Sequence, residues 1–505
     1  LSIVSGSENK ALQPIIEQWA KRENISVNIT YQGSVDIYRL LQQGKQAPFD
    51  AVWPANHLWI ELGDEKKVIK HEKSIMRSPV VLALKKPLAE QLGWVNADNV
   101  SLKNILDAAK QEKFRLAMTS ATQSNSGAST YFGFLYAMAG YPDTLTPAHL
   151  EDSSVQEQVK QMLSTVNRSS GSSGWLKDAF VYHPERFDAM FNYEAMLIEA
   201  NRVLEKTGAA PLCAIYPKDG LMVADSPLGF IDKGQAGKEA LFLKLQTYLL
   251  SEKVQAEIGK TGRRTGLLGT DIANNDSNVW KKTWCLDTER SIASIPIPEQ
   301  KVIQQALNLY QTDLRKPSLT VWVLDVSGSM AGRGIDGLKQ AMTTLLDSQQ
   351  AQQHLLQAGK QDISYIIPFN EEVLAVWEVK GNTLSAQQTA LKHVQSLRAF
   401  GGTNLYQALL KALETLEPYA DDGTLWHYLP AIVAMSDGRS LTDHYDAFVH
   451  YVQHSNFAAD IPIHAIAFGR ADQQQLEVLT EQSVGRLFNS KGDLADTLRK
   501  AKGYN

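Results

Sequence analysis

Leu324-Asp325-Val326-Ser327-Gly328-Ser329-Met330 follows directly on the apolar run Leu319-Thr320-Val321-Trp322-Val323, and this junction decides the reading of the chain's last third. An unbroken apolar strand is one buried on both faces, the signature of a parallel sheet sandwiched between helices. Asp325, Ser327 and Ser329 put three oxygen-bearing side chains just past the strand's C-terminal end, where open α/β sheets present their ligand sites. One carboxylate and two hydroxyls form a partial cage for a hard cation, which takes oxygen ligands and needs further ones from elsewhere. Two segments can supply them: Gly401-Gly402-Thr403-Asn404, before a helical run, and Met435-Ser436-Asp437-Gly438, after the apolar strand Ala431-Val433.

Outward from this junction, strand and helix signals alternate: Ile335-Ser348, Ile363-Phe369, Gln387-Leu397, Leu405-Leu416, Ala431-Ser436, His444-Ser455, Ile463-Phe468 and Gln473-Glu481. The pattern predicts a doubly wound α/β domain over 317–505. Asp325, Ser327, Ser329, Thr403 and Asp437, in this order and spacing, resemble the von Willebrand factor A family with its metal-ion-dependent adhesion site. The resemblance implies a Rossmann-like fold and a bound divalent cation, Mg2+ first, with Ca2+ and Mn2+ as alternatives. Ser327, Ser329 and Thr403 would offer hydroxyls to the ion, and Asp325 and Asp437 would act directly or through water. It also implies a partner protein whose Glu or Asp completes the coordination. The competing reading makes Asp325 a turn cap and the serines local backbone partners.

The chain has 505 residues, about three folding units by length. With 44% hydrophobic and 21% charged residues it has the composition of an ordinary soluble globular protein. A net charge of -5 supplies no basic field for a polyanion, so nucleic acid is not an expected partner. No apolar run reaches the ~18 residues of a membrane span. The chain starts at Leu1 without an initiator Met and enters a strand at once, as a trimmed or mature secreted chain would, so a signal peptide or membrane anchor would precede it. Cys213 and Cys285 are as compatible with one disulfide as with two buried thiols.

Before the connector, β-branched runs alternate with amphipathic ones: Leu1-Val4, Ala11-Arg22, Ser26-Tyr31, Ile37-Gln43 and Ala51-Pro54, then Val80-Leu84, Arg115-Met118, Thr130-Met138, Ala189-Phe191 and Leu212-Ile215, closing with Leu221-Ile231 and a helix Ala236-Ile258. Two α/β lobes are expected over 1–268, followed over 269–316 by a polar stretch with Asn274, Asn275 and a helix-like run from Gln300 to Leu314, which reads equally as a connector with a helix in it or as a helix packed on either domain. Small hydroxyl clusters fall where helices should begin: Ser5-Gly6-Ser7, Gly33-Ser34 and Thr122 to Gly127. Helix starts present unpaired N–H groups and a positive dipole end, so such clusters can cradle an oxyanion or carboxylate, although plain N-capping accounts for any one of them alone.

Taken in order, Ser5-Gly6-Ser7, Tyr31-Gln32-Gly33-Ser34, Phe49-Asp50-Ala51-Val52, Ser78 to Ala83, Thr122 to Gly127, Asn192-Tyr193-Glu194-Ala195, Tyr216 to Gly220 and Lys260 to Arg264 resemble bacterial extracellular solute-binding proteins of the two-lobed type, which include molybdate- and sulfate-binding proteins. The resemblance implies a periplasmic-binding-protein-like module with crossover strands near 78–84 and 220–231. A small polar or anionic solute would be held by Ser7, Ser34, Ser124, Ser126 and Tyr193, with Trp53, Asn56 and His57 also candidates to face the cleft. Trp53 can equally be packing, and His57 an ordinary surface histidine.

No catalytic signature stands out. Gly-x-Ser-x-Gly, His-Glu-x-x-His and a phosphate-cradling Gly-x-x-x-x-Gly-Lys-Ser/Thr are all absent, and Gly259-Lys260-Thr261 lacks the upstream glycine. The expectation is a non-enzymatic bacterial envelope protein, periplasmic or extracellular, that binds a small solute, a divalent cation and a partner protein. The alternatives are an adaptor subunit of an ATP-driven enzyme or chaperone complex with a vestigial cleft, and a cleft that is only a spacer.

Overall fold

In the computed structural model, residues 1–266, 276–289, 292, 294–437, 439–467, 471, 473–490 and 494–504 are described. Leu268, Asn274, Asn275, Gly438 and Phe468, named in the readings above, lie outside them. The chain divides into two compact units, Leu1–Val166 with Ser170–Leu307, and Asn167–Ser169 with Asn308–Asn505.

The first unit carries a sheet in each lobe. One is ordered 28–31, 2–5, 51–53, 227–231, 69–74, parallel among its first three strands and antiparallel where Pro227–Ile231 joins. Strand alternation sends Ile3 into a core with Trp19, Phe230 and Phe242, and Val4 to the opposite face with Leu41, Val52 and Ile60. The other sheet is built around Ser78–Lys85, which pairs antiparallel with Ala189–Tyr193 on one side and with Val223–Ala224 and Leu212–Ile215 on the other. The chain passes between the sheets twice, from Ser74 to Ser78 and from Ala224 to Pro227. Ser226, at the second passage, has φ 43°, a left-handed conformation that a residue with a side chain adopts only when its surroundings hold it there. Its N–H donates to Ala55 O and its carbonyl accepts from Trp53 Nε1 and Ile75 N–H.

One sequence reading is overturned. The run Ala236–Ile258 is not one helix: it stops at Leu249, Ser251 turns extended (φ -69°, ψ 145°), and a second helix runs Glu252–Gly259. Hydrophobic periodicity carries through such a break because both pieces bury apolar residues, Phe242 and Leu249 before it and Val254 and Ile258 after it. The described residues of the stretch after the helices take the packed arrangement, one of the two that the sequence left open. Trp280 Nε1 donates to Gly259 O, Trp284 Nε1 donates to Glu205 Oε1 at 2.8 Å, and Cys285 is bonded to Cys213. Through Leu307 this stretch belongs to the first unit.

The second unit holds a six-stranded sheet ordered 377–380, 363–369, 318–325, 429–436, 463–467, 487–489, parallel except at the edge strand Trp377–Lys380, a strand without a sequence-level signal. Leu319, Val321 and Val323 pack on Leu409, Leu413 and Leu416 of the helix Leu405–Asp421, while Thr320, Trp322 and Leu324 are buried on the other face. Both faces are covered, as an unbroken apolar strand requires. The first strand is central and its successors lie on either side of it, so the strand order reverses at the C-terminal end of Ser318–Asp325.

Candidate functional site

At that reversal point Asp325 ends its strand fully buried. Its Oδ1 accepts the Ser327 N–H at 2.8 Å and its Oδ2 accepts the Ser436 hydroxyl at 2.6 Å. Ser327 Oγ lies 3.0 Å from Ser329 Oγ, and Ser329 Oγ donates to Asp437 Oδ1 at 2.9 Å. Burial pushes the Asp325 carboxyl up, the bonds from Ser327 and Ser436 oppose this, and the charge of Asp437 adds to the rise. Two carboxylates and two hydroxyls thus occupy one hydrogen-bonded cluster.

Thr403 sits beside this cluster on a loop tied to it by backbone. Gly328 N–H donates to Gly401 O at 2.9 Å and Phe400 N–H to Val326 O at 2.9 Å, while Thr403 O accepts from Leu441 N–H at 2.9 Å. Gly401 has φ 77°, and a Cβ there would lie 2.7 Å from Asn370 Nδ2, so the close approach of the loop depends on glycine. Two residues that the sequence reading did not single out support the site: Ser436, on Asp325, and Glu371, whose Oε2 accepts the Gly402 N–H at 3.0 Å.

An oxygen-only set suits a hard divalent cation, and two like charges sharing a cluster are stabilised by one. The residues therefore fit such an ion. Among the described residues no three His, Cys, Asp or Glu side chains cluster as metal ligands do, and this set has only two carboxylates beside its hydroxyls.

In the first unit, three helix starts meet. Gly33 precedes the helix Ser34–Gln42 and packs so closely on Gln123 O that a Cβ would lie 2.3 Å from it. Ser124 precedes the helix Asn125–Met138, and its Oγ lies 3.0 Å from Ser173 Oγ, the first residue of the helix Ser173–Tyr182. Ser126 Oγ is 2.7 Å from both Ser173 Oγ and Thr119 Oγ1. Ser7 Oγ reaches Ser172 Oγ at 3.1 Å. Ser34 is buried at its helix's first position. Tyr193 Oη accepts from Asn125 Nδ2 at 2.8 Å, and Asn125 Oδ1 accepts from Trp59 Nε1 at 2.7 Å. Burial, then the charge of Glu8, holds the Tyr193 phenol well above its ordinary range.

Of the remaining candidates, Trp53 is core packing, buried among Ile3, Trp19 and Phe230 with its N–H on Ser226 O. Asn56 Nδ2 donates to Val223 O, 167 residues away, and its Oδ1 accepts the Leu58 N–H, so both ends of the amide are taken by backbone. His57 is half-buried, with Nδ1 2.5 Å from Glu72 Oε1, and that bond is the main reason its pKa is raised. Ser172 and Ser173 went unnoticed although Ser169-Ser170-Gly171-Ser172-Ser173-Gly174 shows the same small-hydroxyl pattern before a helix that marked the other clusters. Glu8 also went unnoticed, since one acidic residue after Ser7 carries no pattern.

Among curated proteins, inter-alpha-trypsin inhibitor heavy chain H2 of Homo sapiens is 31% identical over 127 residues, and the same protein of Mesocricetus auratus equally so. The alignment takes in 24% of this chain and 12% of those relatives' length. Among solved structures, the Azotobacter vinelandii periplasmic molybdate-binding protein matches over 53% of this chain and 99% of its own at 17% identity and TM-score 0.37. The ferric binding protein from Campylobacter jejuni matches over 61% and 98% at 15% identity and TM-score 0.43, and a von Willebrand factor type A protein from Catenulispora acidiphila over 37% and 42% at 16% identity and TM-score 0.31. The von Willebrand factor type A domain model matches residues 321–499. The model for bacterial extracellular solute-binding proteins matches residues 1–264, just over half of the 505, and the chain belongs to that family, with a von Willebrand factor type A domain behind its solute-binding module.

Proposed function

We propose that this is a non-enzymatic protein of the bacterial envelope, periplasmic or extracellular, which captures a small polar solute in its first unit and binds a divalent cation, Mg2+ before Ca2+ or Mn2+, in its second. Through that ion the second unit docks a partner protein's carboxylate. The observation that carries the reading is the cluster of Asp325, Ser327, Ser329 and Asp437 at the strand-order reversal, with Thr403 on the adjoining loop. Five oxygen-bearing side chains on three loops would hold such an ion, and a partner's carboxylate belongs to the oxygen ligands a hard cation takes. The hydroxyls at three helix starts are the corresponding feature for the solute. The Cys213–Cys285 disulfide supports an oxidising compartment, and among the described residues no helix is long and apolar enough to cross a membrane. The ATP-driven adaptor reading has no observation in its favour.

When bound, the ion would supply a Lewis-acidic centre for the partner carboxylate. Asp325 holds Ser327 in place through its Oδ1, and Ser436 fixes the rotation of the Asp325 carboxyl. The test is calorimetric titration of the full chain with MgCl2 and MnCl2. The native chain should take up one ion and D325A none, and proteins captured from a bacterial envelope extract in Mg2+ should elute with EDTA. A native chain that takes up no divalent ion would sink the reading of the second unit.

A further inference from the structure

The helix Gln300–Leu309 bonds both lobes of the first unit. The stretch that leads into it is fixed to the second lobe, where Cys285 is bonded to Cys213 of the strand Leu212–Ile215 and Ser294 Oγ accepts the Val223 N–H at 3.1 Å. Gln300 then reaches the first lobe. Its Nε2 donates to Leu62 O at 3.1 Å, and one turn on Gln304 bonds the Tyr38 phenol. Leu62 and Tyr38 lie in the helices Leu58–Gly63 and Ser34–Gln42, which share a core through Ile60, Ile37 and Leu41. Further along the same helix the contact is with the second lobe again, the Tyr131 hydroxyl donating to Ala306 O at 2.9 Å. Tyr131 lies in the helix Asn125–Met138, whose Phe134 packs on Phe191 of the strand Ala189–Tyr193. Val302, Ile303, Ala306 and Leu307 are all buried, so the helix is seated by an apolar face as well as by these bonds.

Two lobes joined by two short passages swing about them only where nothing else spans the lobes. Here a helix does, and a helix is a stiff element with a fixed rise of about 1.5 Å per residue. The lobes cannot separate without stripping it from Leu62 and Tyr38 or from Tyr131, which breaks hydrogen bonds and uncovers its apolar face. The helices Ser34–Gln42 and Asn125–Met138, both gripped by it, are two of those that start at the hydroxyl cluster. There the lobes touch, with Gly33 against Gln123 O and Ser7 Oγ on Ser172 Oγ.

We propose that the helix Gln300–Leu309 is a latch that keeps the two lobes together in the absence of solute, so that the first unit presents a preassembled cleft in place of a freely swinging one. The latch stands on these contacts alone. Its service to solute capture rests on the reading of the hydroxyl cluster as the solute site.

The experiment is double electron–electron resonance on the full chain without added solute. Spin labels go on K21C, in the helix Gln13–Arg22 of the first lobe, and K103C, in the helix Leu102–Lys110 of the second, both exposed positions. Cys213 and Cys285, being bonded to each other, take no label. With the latch intact the labels should give one narrow distance distribution. Q300A/Q304A frees the helix from the first lobe, and Q304P also breaks the helix itself. In both, a second and longer distance should appear in about a tenth of the molecules or more. Two populations, or one broad one, in the chain with the intact latch overturn the proposal. So does a distribution left unchanged by both substitutions in chains whose circular dichroism shows them folded. Gln304 is exposed and Gln300 half-buried, so Q300A/Q304A spares the core and decides alone if Q304P does not fold. Solute binding takes no part in this measurement, so a failed latch is told apart from a failed solute site.

Discussion

At the scale of single residues, Asp325 and Glu8 make opposite use of burial. Asp325 is buried but doubly bonded, its two oxygens taking Ser327 N–H and Ser436 Oγ, so its geometry is held before any ion arrives. Glu8 is buried with one oxygen unpaired, and burial lifts its pKa to about 7 against the pull of its own backbone N–H and of Arg263. A carboxyl whose folded pKa is raised keeps its proton while the unfolded chain has lost it, so the native state loses stability as pH climbs from about 4.5 to about 7. Over that window the loss is at most about 3 kcal/mol. The Tyr31 and Tyr193 phenols, which burial holds above their ordinary range, do not titrate in this window. E8Q should therefore flatten this part of the stability–pH curve, and gain on the native chain above pH 7. Urea denaturation from pH 4 to 8 measures it, and parallel curves for the two proteins would show that Glu8 is solvated after all.

At the scale of elements, the second lobe is held by a buried ion pair that the sequence marked only as two fragments of a degenerate pattern. Arg264 Nε and Nη2 donate to Glu194 Oε1 and Oε2, each at 2.7 Å, and the Tyr216 hydroxyl donates to the same Oε2. Glu194 opens the helix Glu194–Thr207, Tyr216 follows the strand Leu212–Ile215, and Arg264 bridges Arg77 through its backbone. Three elements distant in sequence meet at one bidentate contact. Its side chains are 3% and 0% exposed, so removing one charge leaves the other uncompensated. E194Q should cost about 3–5 kcal/mol, read from the denaturant midpoint. A loss below about 1 kcal/mol would mean that the pair is hydrated in solution.

At the scale of the whole molecule, two compact units imply two unfolding transitions. The Cys213–Cys285 bond closes a stretch with 72 residues of separation wholly inside the first unit. On the loop-entropy model its reduction should cost that unit roughly 4 kcal/mol. Calorimetry with and without a reductant should show only one transition moving down, and Mg2+ should move the other up. A shift of both by the reductant would show that the units unfold together. Much of this organisation was legible in the sequence. The strand Leu319–Leu324 declared a two-sided sheet because every position is apolar, and Asp325, Ser327 and Ser329 declared oxygen chemistry because they sit in one short turn. The break at Ser251 and the edge strand Trp377–Lys380 were not legible, because periodicity reports which residues are buried and not which neighbour buries them.

Local chemistry is what the sequence by itself determined: alternating strands and helices, hydroxyls at helix starts, and carboxylates after apolar strands, each fixed by side-chain type and spacing along the backbone. Tertiary structure alone decided which of these meet. Ser329 and Asp437 are 2.9 Å apart across 108 residues, and Ser7 and Ser172 3.1 Å apart across 165. The Glu8 carbonyl is held by Arg263 across 255 residues. A pairing of that kind depends on how sheets and helices pack, and the spacing of residues along a chain does not encode it.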